Sequence, residues 1–316
     1  MAEQTAAIKP AVDEPAGTAS PPAGADIETA TGPHLVDRPF TTRRMMYDVL
    51  IGLAPVFAAA VWFFRGWAVL QVAVALAVAF ATETLFCVVR GKKLSLGDGS
   101  VAITAMILAF SLPPTLPIYA TALGTFAAVA LGKMVFGGLG HNIFNPAMVG
   151  RAVLMACFSA QMTTWVNPAT DARPLETVTQ ATPLKAAIAK AGSQARLPDL
   201  MPLIQGNVSG SLGETSAAMI VLGGLWLLVR KAGDWRLTVG TLLGLAIPAG
   251  IQQLLSPGSL GVIGHLAGGG AMLAAFFIVT DPVTSPLTKA GRWIFGLGVG
   301  ALIILIRLYS NLPEGV

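Results

Sequence analysis

Apolar residues in this chain run in stretches of membrane length, separated by short polar joints and by one long polar excursion at 166–214. A transmembrane helix takes about 20 mostly apolar residues. The pattern predicts nine such segments: 46–64, 67–89, 100–112, 116–136, 146–165, 215–229, 237–255, 261–279 and 291–309. The third is short and ends at Ser111-Leu112-Pro113-Pro114. It therefore reads as a broken or tilted half-helix, tolerable only if protein or a polar cavity covers its open backbone. Ahead of the spans, residues 1–40 are rich in Ala, Pro, Thr, Gly and acids with no apolar run, a composition that predicts disorder. They have neither the charged-then-apolar order of a signal peptide nor the acid-poor composition of a transit peptide, so the first span is expected to insert directly.

Composition turns this pattern into a class. Of 316 residues, 54% are hydrophobic and only 11% charged, where a soluble domain carries roughly 25% charged residues. Mean hydropathy is +0.70. The expectation is an all-α polytopic membrane protein. The net charge of +4 rests on few charges and bears on orientation in the bilayer. No basic stripe interleaved with aromatics occurs, which excludes nucleic-acid binding.

Charge placement gives the direction. Arg43 and Arg44 precede the first span, and Arg90, Lys92 and Lys93 follow the second. Arg230, Lys231 and Arg236 follow the sixth, and Lys289 and Arg292 precede the ninth. If all nine segments cross, these clusters share one side, the cytoplasm by the positive-inside rule. The N-terminus is then cytoplasmic and the 166–214 loop extracytoplasmic. Lys185, Lys190 and Arg196 in that loop dissent, but long loops weigh less. A P-x-x-x-P spacing recurs at Pro113-Pro114-Thr115-Leu116-Pro117 and Pro282-Val283-Thr284-Ser285-Pro286, once on each side. It is the pattern of an inverted repeat with broken helices, although two prolines also recur at that distance by chance.

Candidate chemistry is sparse in the spans. Cys87 and Cys157 form no CxxC pair and read as buried small hydrophobes. His34, His141 and His265 are scattered without ligand spacing. The run Gly137-Gly138-Leu139-Gly140 reads as a tight turn, followed by Asn145-Pro146 as cap and first-turn proline of the fifth span. Gly97-Asp98-Gly99 and Thr280-Asp281-Pro282 read as acidic caps, Asp281 having as its alternative a cation or a flavin ring at the membrane edge. Lys133 and Arg151 are expected to snorkel to the cytoplasmic surface. Glu83 is the most interior carboxylate, either a group in ion movement or a solvated interfacial acid. No Ser-His-Asp set, carboxylate pair or phosphate-cradling loop argues for hydrolysis.

In the long loop, Thr182-Pro183 starts a predicted short helix over 183–191, with Gly192 as its stop. The plain reading of Thr182 is an N-cap. A phosphate on its hydroxyl would instead lie at the positive helix end, near free backbone N–H groups and Lys185.

In chain order, eight motifs follow one another: Gly99-Ser100 before Thr104-Ala105; Ser111-Leu112-Pro113-Pro114; Gly132-Lys133 with the glycine-rich turn; Asn145-Pro146-Ala147-Met148; Ala181-Thr182-Pro183-Leu184; Gly210-Ser211-Leu212-Gly213-Glu214; Thr280-Asp281-Pro282; and Pro313-Glu314-Gly315-Val316. Together they resemble the RnfD/NqrB family, nearer to RnfD, over nearly everything after residue 40. The resemblance implies a membrane subunit of a redox pump similar to the Rnf complex, which passes electrons between ferredoxin and NAD and moves sodium or protons. It implies an inverted five-plus-five helix arrangement like that of urea transporters. Residues 41–165 would form the first repeat, 166–214 the extracytoplasmic flavin loop, and 215–316 the second. It also implies covalent FMN, joined by a phosphoester to the last threonine of an S/T-x-A-T-type motif. Thr179-Gln180-Ala181-Thr182 matches, making Thr182 the acceptor, with Thr179, Ala181 and Lys185 around the cofactor. Implied partners are membrane lipid, a flavin transferase, and the flavin-carrying, iron–sulfur and NADH-binding subunits of the complex in a bacterial inner membrane. Family members continue past Glu-Gly-Val with another apolar span, whereas this chain stops at Val316, so the last helix of the second repeat is expected to be missing. The competing expectations are a solute channel or transporter without a redox cofactor, suggested by the broken helices, and a scaffold for other subunits.

Overall fold

A computed structural model of the chain describes residues 28–29, 35–36, 41–92, 96–165, 210–214, 216–255, 261–268 and 270–309. Among them every element is helical except one antiparallel pairing of two-residue strands, Glu28–Thr29 (β1) with Leu35–Val36 (β2). That pairing falls within the segment whose composition predicts disorder.

The first half contains α1 (Thr42–Phe64), α2 (Gly66–Val89), α3 (Ser100–Phe110), α4 (Ile118–Val129) running into a π turn over Ala130–Met134, α5 (Pro146–Cys157) and the single turn α6 (Ser159–Met162). The second half contains α7 (Ala217–Val229), α8 (Trp235–Leu255), α9 (Val262–Ala267), α10 (Ala271–Leu273) with a π turn over Ala274–Ile278, and α11 (Lys289–Tyr309). Of these, α1, α2, α8 and α11 are long and apolar enough to cross a membrane; α3, α4 with its π turn, α5 and α7 are shorter apolar helices. The chain is a multi-pass membrane protein.

Helix α1 begins ahead of its apolar run because the Thr41 hydroxyl accepts from the Arg44 amide at 3.3 Å and caps the first turn. The eighth predicted span is not continuous. It splits at Gly268, in a glycine-rich run that forgoes about 1 kcal/mol of helix propensity per residue relative to alanine.

Both interruptions, at the end of α3 and at Gly268, are covered by protein, as lipid requires. At the end of α3, Gly213 N donates to Phe110 O at 2.8 Å and Leu212 N to Leu112 O at 3.0 Å. Arg151 of α5 donates to Ser111 O. Gln71 of α2, fully buried, donates to Leu116 O at 2.6 Å and accepts from the Thr121 hydroxyl at 2.5 Å. At the second break, Arg307 of α11 donates to His265 O and, at 2.9 Å, to Gly268 O.

Helices in a membrane associate through close packing rather than a hydrophobic drive, and small residues permit it. A Cβ on Gly223 of α7 would stand 2.0 Å from Gly52 O of α1. On Gly244 of α8 it would stand 2.3 Å from Leu297 O, and on Gly300 of α11 2.1 Å from Thr241 O. The central core joins Leu53, Leu108, Phe110, Leu154, Leu227 and Phe277, so both broken segments pack against the α1–α7 pair.

The cation-bearing helix ends meet in pairs. Arg230 after α7 pairs with Asp48 of α1 at 3.0 Å, and Arg90 after α2 donates to Met134 O at 2.5 Å. Asp234 pairs with Arg236 at 3.2 Å and also with Arg292 of α11.

Gly223→Val should separate α1 from α7 and cost at least about 1–3 kcal/mol, as overpacking does, lowering the thermal unfolding temperature in detergent. Gly298→Ala, with no atom within 4 Å of the new Cβ, should leave that temperature unchanged or slightly raised.

Candidate functional site

Thr179, Ala181, Thr182 and Lys185 lie outside the described residues, as does the predicted helix over 183–191. Within the described residues, four of the other motifs singled out in the sequence converge. A cavity of about 70 Å³ opens between the start of α1, the start of α3, the glycine-rich turn and the turn after the second π segment, with Met46, Ser100, Lys133, Asn145, Thr280 and Asp281 in its wall.

Local sequence explains how each group is placed. Gly137, Gly138 and Gly140 adopt φ of 124°, 112° and 87°, a backbone region that disfavours any Cβ. They let the chain reverse after α4. Asn145 then caps α5, its Oδ1 accepting from Ala147 N at 3.0 Å, with Pro146 at the first helical position. Asn142 is fixed by donating to Phe144 O at 3.1 Å. Asp98 accepts from Ser100 N at 2.8 Å and from the Ser100 hydroxyl at 2.6 Å, satisfying the first amide of α3 from the position before its N-cap, Gly99. Asp281 accepts from Val283 N at 3.1 Å and from the Thr284 hydroxyl at 3.1 Å.

Lys133 does not snorkel. Its ammonium, 2% exposed, lies 2.9 Å from Glu83 Oε2 and donates to Ser100 Oγ at 2.7 Å. Those contacts replace the water that a surface position would have supplied, and an ammonium inside the protein needs such partners. The result is a chain of polar contacts, Glu83–Lys133–Ser100–Asp98, of which Lys133 and Ser100 line the cavity. Glu83 is correspondingly not an interfacial acid: it is fully buried and already neutralised by a cation. Arg151 is also buried, and its guanidinium serves Ser111 O at the end of α3 rather than the surface. Cys87 is buried as expected, but Cys157 is exposed where α5 ends.

A second polar cluster escaped the sequence reading. Glu214 sits in the turn that docks on the end of α3, 5% exposed, with its Oε2 unbonded among the described residues. Burial pushes its carboxyl above the ordinary range, against the pull of Arg151, Ser211 and Arg307. Arg307 and His265 are fully buried, and neither ring nitrogen of His265 has a partner among the described residues. A signal was available: Arg307 follows directly on Leu302-Ile303-Ile304-Leu305-Ile306, and an ionisable residue inside an apolar helix is a site by default.

Chemically, the cavity offers amide, hydroxyl and carboxylate groups at the edge of an otherwise apolar wall, the mixture that orients a largely apolar ligand. Glu83→Gln should cost about 3–5 kcal/mol by leaving the Lys133 ammonium buried without its counter-charge. Lys133→Met in the same chain should recover most of that loss. Thermal unfolding of the two single variants and the double variant measures the coupling.

Comparison with known proteins places the chain in a family. Residues 28–316 match the family described as NQR2, RnfD, RnfE. A component of the ion-translocating oxidoreductase complex of Actinobacillus succinogenes is 36% identical, covering 92% of this chain and 91% of that protein. A component of the Na(+)-translocating ferredoxin:NAD(+) oxidoreductase complex of Acetobacterium woodii is 37% identical, over 92% of this chain and 88% of its own. A component of the proton-translocating ferredoxin:NAD(+) oxidoreductase complex of Clostridium ljungdahlii is 38% identical, over 86% and 84%. Matched over residues 28–316 and 36–38% identical to these relatives, the chain belongs to the NQR2, RnfD, RnfE family.

Proposed function

We propose that this chain is the flavin-carrying membrane subunit of a redox-driven ion pump of the Rnf type, inactive alone. In this reading it carries electrons through FMN esterified to Thr182 while the complex couples ferredoxin–NAD electron transfer to Na+ or H+ transport. The observation that carries the proposal is Thr179-Gln180-Ala181-Thr182, an attachment motif within a chain that matches the family over residues 28–316. In this reading the Thr182 hydroxyl would supply the ester oxygen, and the charge of Lys185, three residues on in the sequence, would favour a phosphate there. Bound there, the flavin supplies reversible electron uptake; the chain's part is to hold and orient it.

The proposal includes the inverted arrangement of two five-helix units. Its support is a correspondence between halves. Arg151 of α5 donates to Ser111 O at the end of α3, and Arg307 of α11 donates to His265 O and Gly268 O at the break between α9 and α10. Each pairing brings a buried cation from a neighbouring helix to a broken one. The orientation follows from the clustered cations: N-terminus in the cytoplasm and flavin loop in the periplasm of a bacterial inner membrane. A flavin transferase acting on that outer side and the remaining Rnf subunits are the partners this reading requires. The broken helices also favour a second reading, a solute channel or transporter.

Production with a flavin transferase separates the two. The denatured band should fluoresce under ultraviolet light and gain the mass of one FMN, and Thr182→Val should be dark and unmodified. A dark, unmodified wild-type band would overturn the redox reading and leave the transporter.

A further inference from the structure

We propose that the end of the molecule where α8 and α11 begin binds an anionic phospholipid, its phosphate held between Arg236 and Arg292. The inference does not depend on a flavin at Thr182.

The two helices run parallel from that end, Gly240 lying against Gly296 and Thr241 and Gly244 against Leu297 and Gly300. Their opening residues are Trp235 and Arg236 on α8 and Lys289, Arg292 and Trp293 on α11. Trp235 is exposed and meets Trp293 edge to face, with ring centroids 5.7 Å apart. Tryptophan beside lysine and arginine at the end of a membrane helix belongs to the headgroup layer.

Both guanidinium groups are held in place. Arg236 stacks on Trp235, its Cζ 5.1 Å from the ring centroid, and pairs with Asp234 Oδ2 at 3.2 Å. Arg292 pairs with the same oxygen and donates from Nε to Pro286 O at 3.0 Å. Asp234 has both oxygens committed, because Oδ1 accepts from Arg236 N at 2.8 Å. Arg236 Nε and Nη2 and Arg292 Nη2 still donate to no acceptor among the described residues. Both side chains keep open surface, 24% and 28%, through which a ligand can approach. Planar donors held in this way suit a phosphate, which accepts paired N–H bonds from a guanidinium fork.

Charge decides which phospholipid. Asp234 is one carboxylate against two guanidinium groups, and the exposed Lys289 adds a cation with no partner among the described residues. Arg230 does not enter the sum, since Asp48 pairs with it. Phosphatidylcholine brings a cation of its own, which the surplus positive charge repels; an anionic headgroup brings none. The lipid tail has a place as well. Leu243 and Ile247, both exposed, follow Arg236 at i+7 and i+11 and so share its face of α8. Free phosphate would gain nothing from that apolar lane.

Native mass spectrometry of the full chain, titrated in detergent with added lipid, tests the site. Phosphatidylglycerol should bind about tenfold or more tighter than phosphatidylcholine, each cation near the surface being worth about fivefold to an anionic lipid. Lys289→Gln should weaken phosphatidylglycerol binding about fivefold, and Arg236→Gln at least as much. Lys289 is in no ion pair among the described residues, so its variant keeps the test open should Arg236→Gln fail to fold. Arg43→Gln, which removes an exposed cation from α1, should change nothing, and inorganic phosphate should not displace the lipid. Equal binding of the two lipids, wild-type binding by Lys289→Gln or Arg236→Gln, an equal loss in Arg43→Gln, or displacement by inorganic phosphate would each overturn the proposal.

Discussion

A helix that stops inside a bilayer leaves carbonyls with no water to bond, and among the described residues α3 and the eighth predicted span break off in this way. The rest of the molecule is arranged around that need. The turn containing Leu212 and Gly213 bends in to donate backbone amides to α3, and Gln71 and Arg151 bring donors from α2 and α5. Arg307 does the same for the α9–α10 break. Charged side chains consequently sit where a simple bundle would place leucine, and each then needs its own compensation. Glu83 compensates Lys133, and Glu214 feels the charge of both arginines.

The fold was legible wherever one residue or a short run carries the signal. Lipid demands apolar stretches, so each of the nine segments contains helix, although the fifth breaks at Phe158 and the eighth at Gly268, and Asn145-Pro146 announces its cap within two residues. Two things were not legible. The split at Gly268 hides in a stretch that is apolar throughout, because hydropathy measures burial and not helix continuity. The Glu83–Lys133 pair joins residues 50 positions apart, and no local pattern says that two charges in separate helices face each other. Snorkelling was the wrong expectation for Lys133 and Arg151 because it treats each cation alone, whereas acceptors on neighbouring helices hold these two inside.

The site divides in the same way. Ser100, Lys133, Asn145 and Thr280-Asp281 were marked separately in the sequence, and the structure gathers them around one cavity. The proposal for Thr182 rests on its immediate neighbours and on resemblance, since an attachment motif is local. The Glu214 cluster needed three dimensions, because its members come from α5, the 210–214 turn, α9 and α11.

The glycine seam between α8 and α11 has a mechanical consequence. Gly244 and Gly300 bring the two backbones together without intervening side chains, so no rotamer change can loosen the seam by degrees. The pair behaves as one stiff beam: a push at either end is transmitted whole, and slack in the domain must be found along seams padded by deformable side chains.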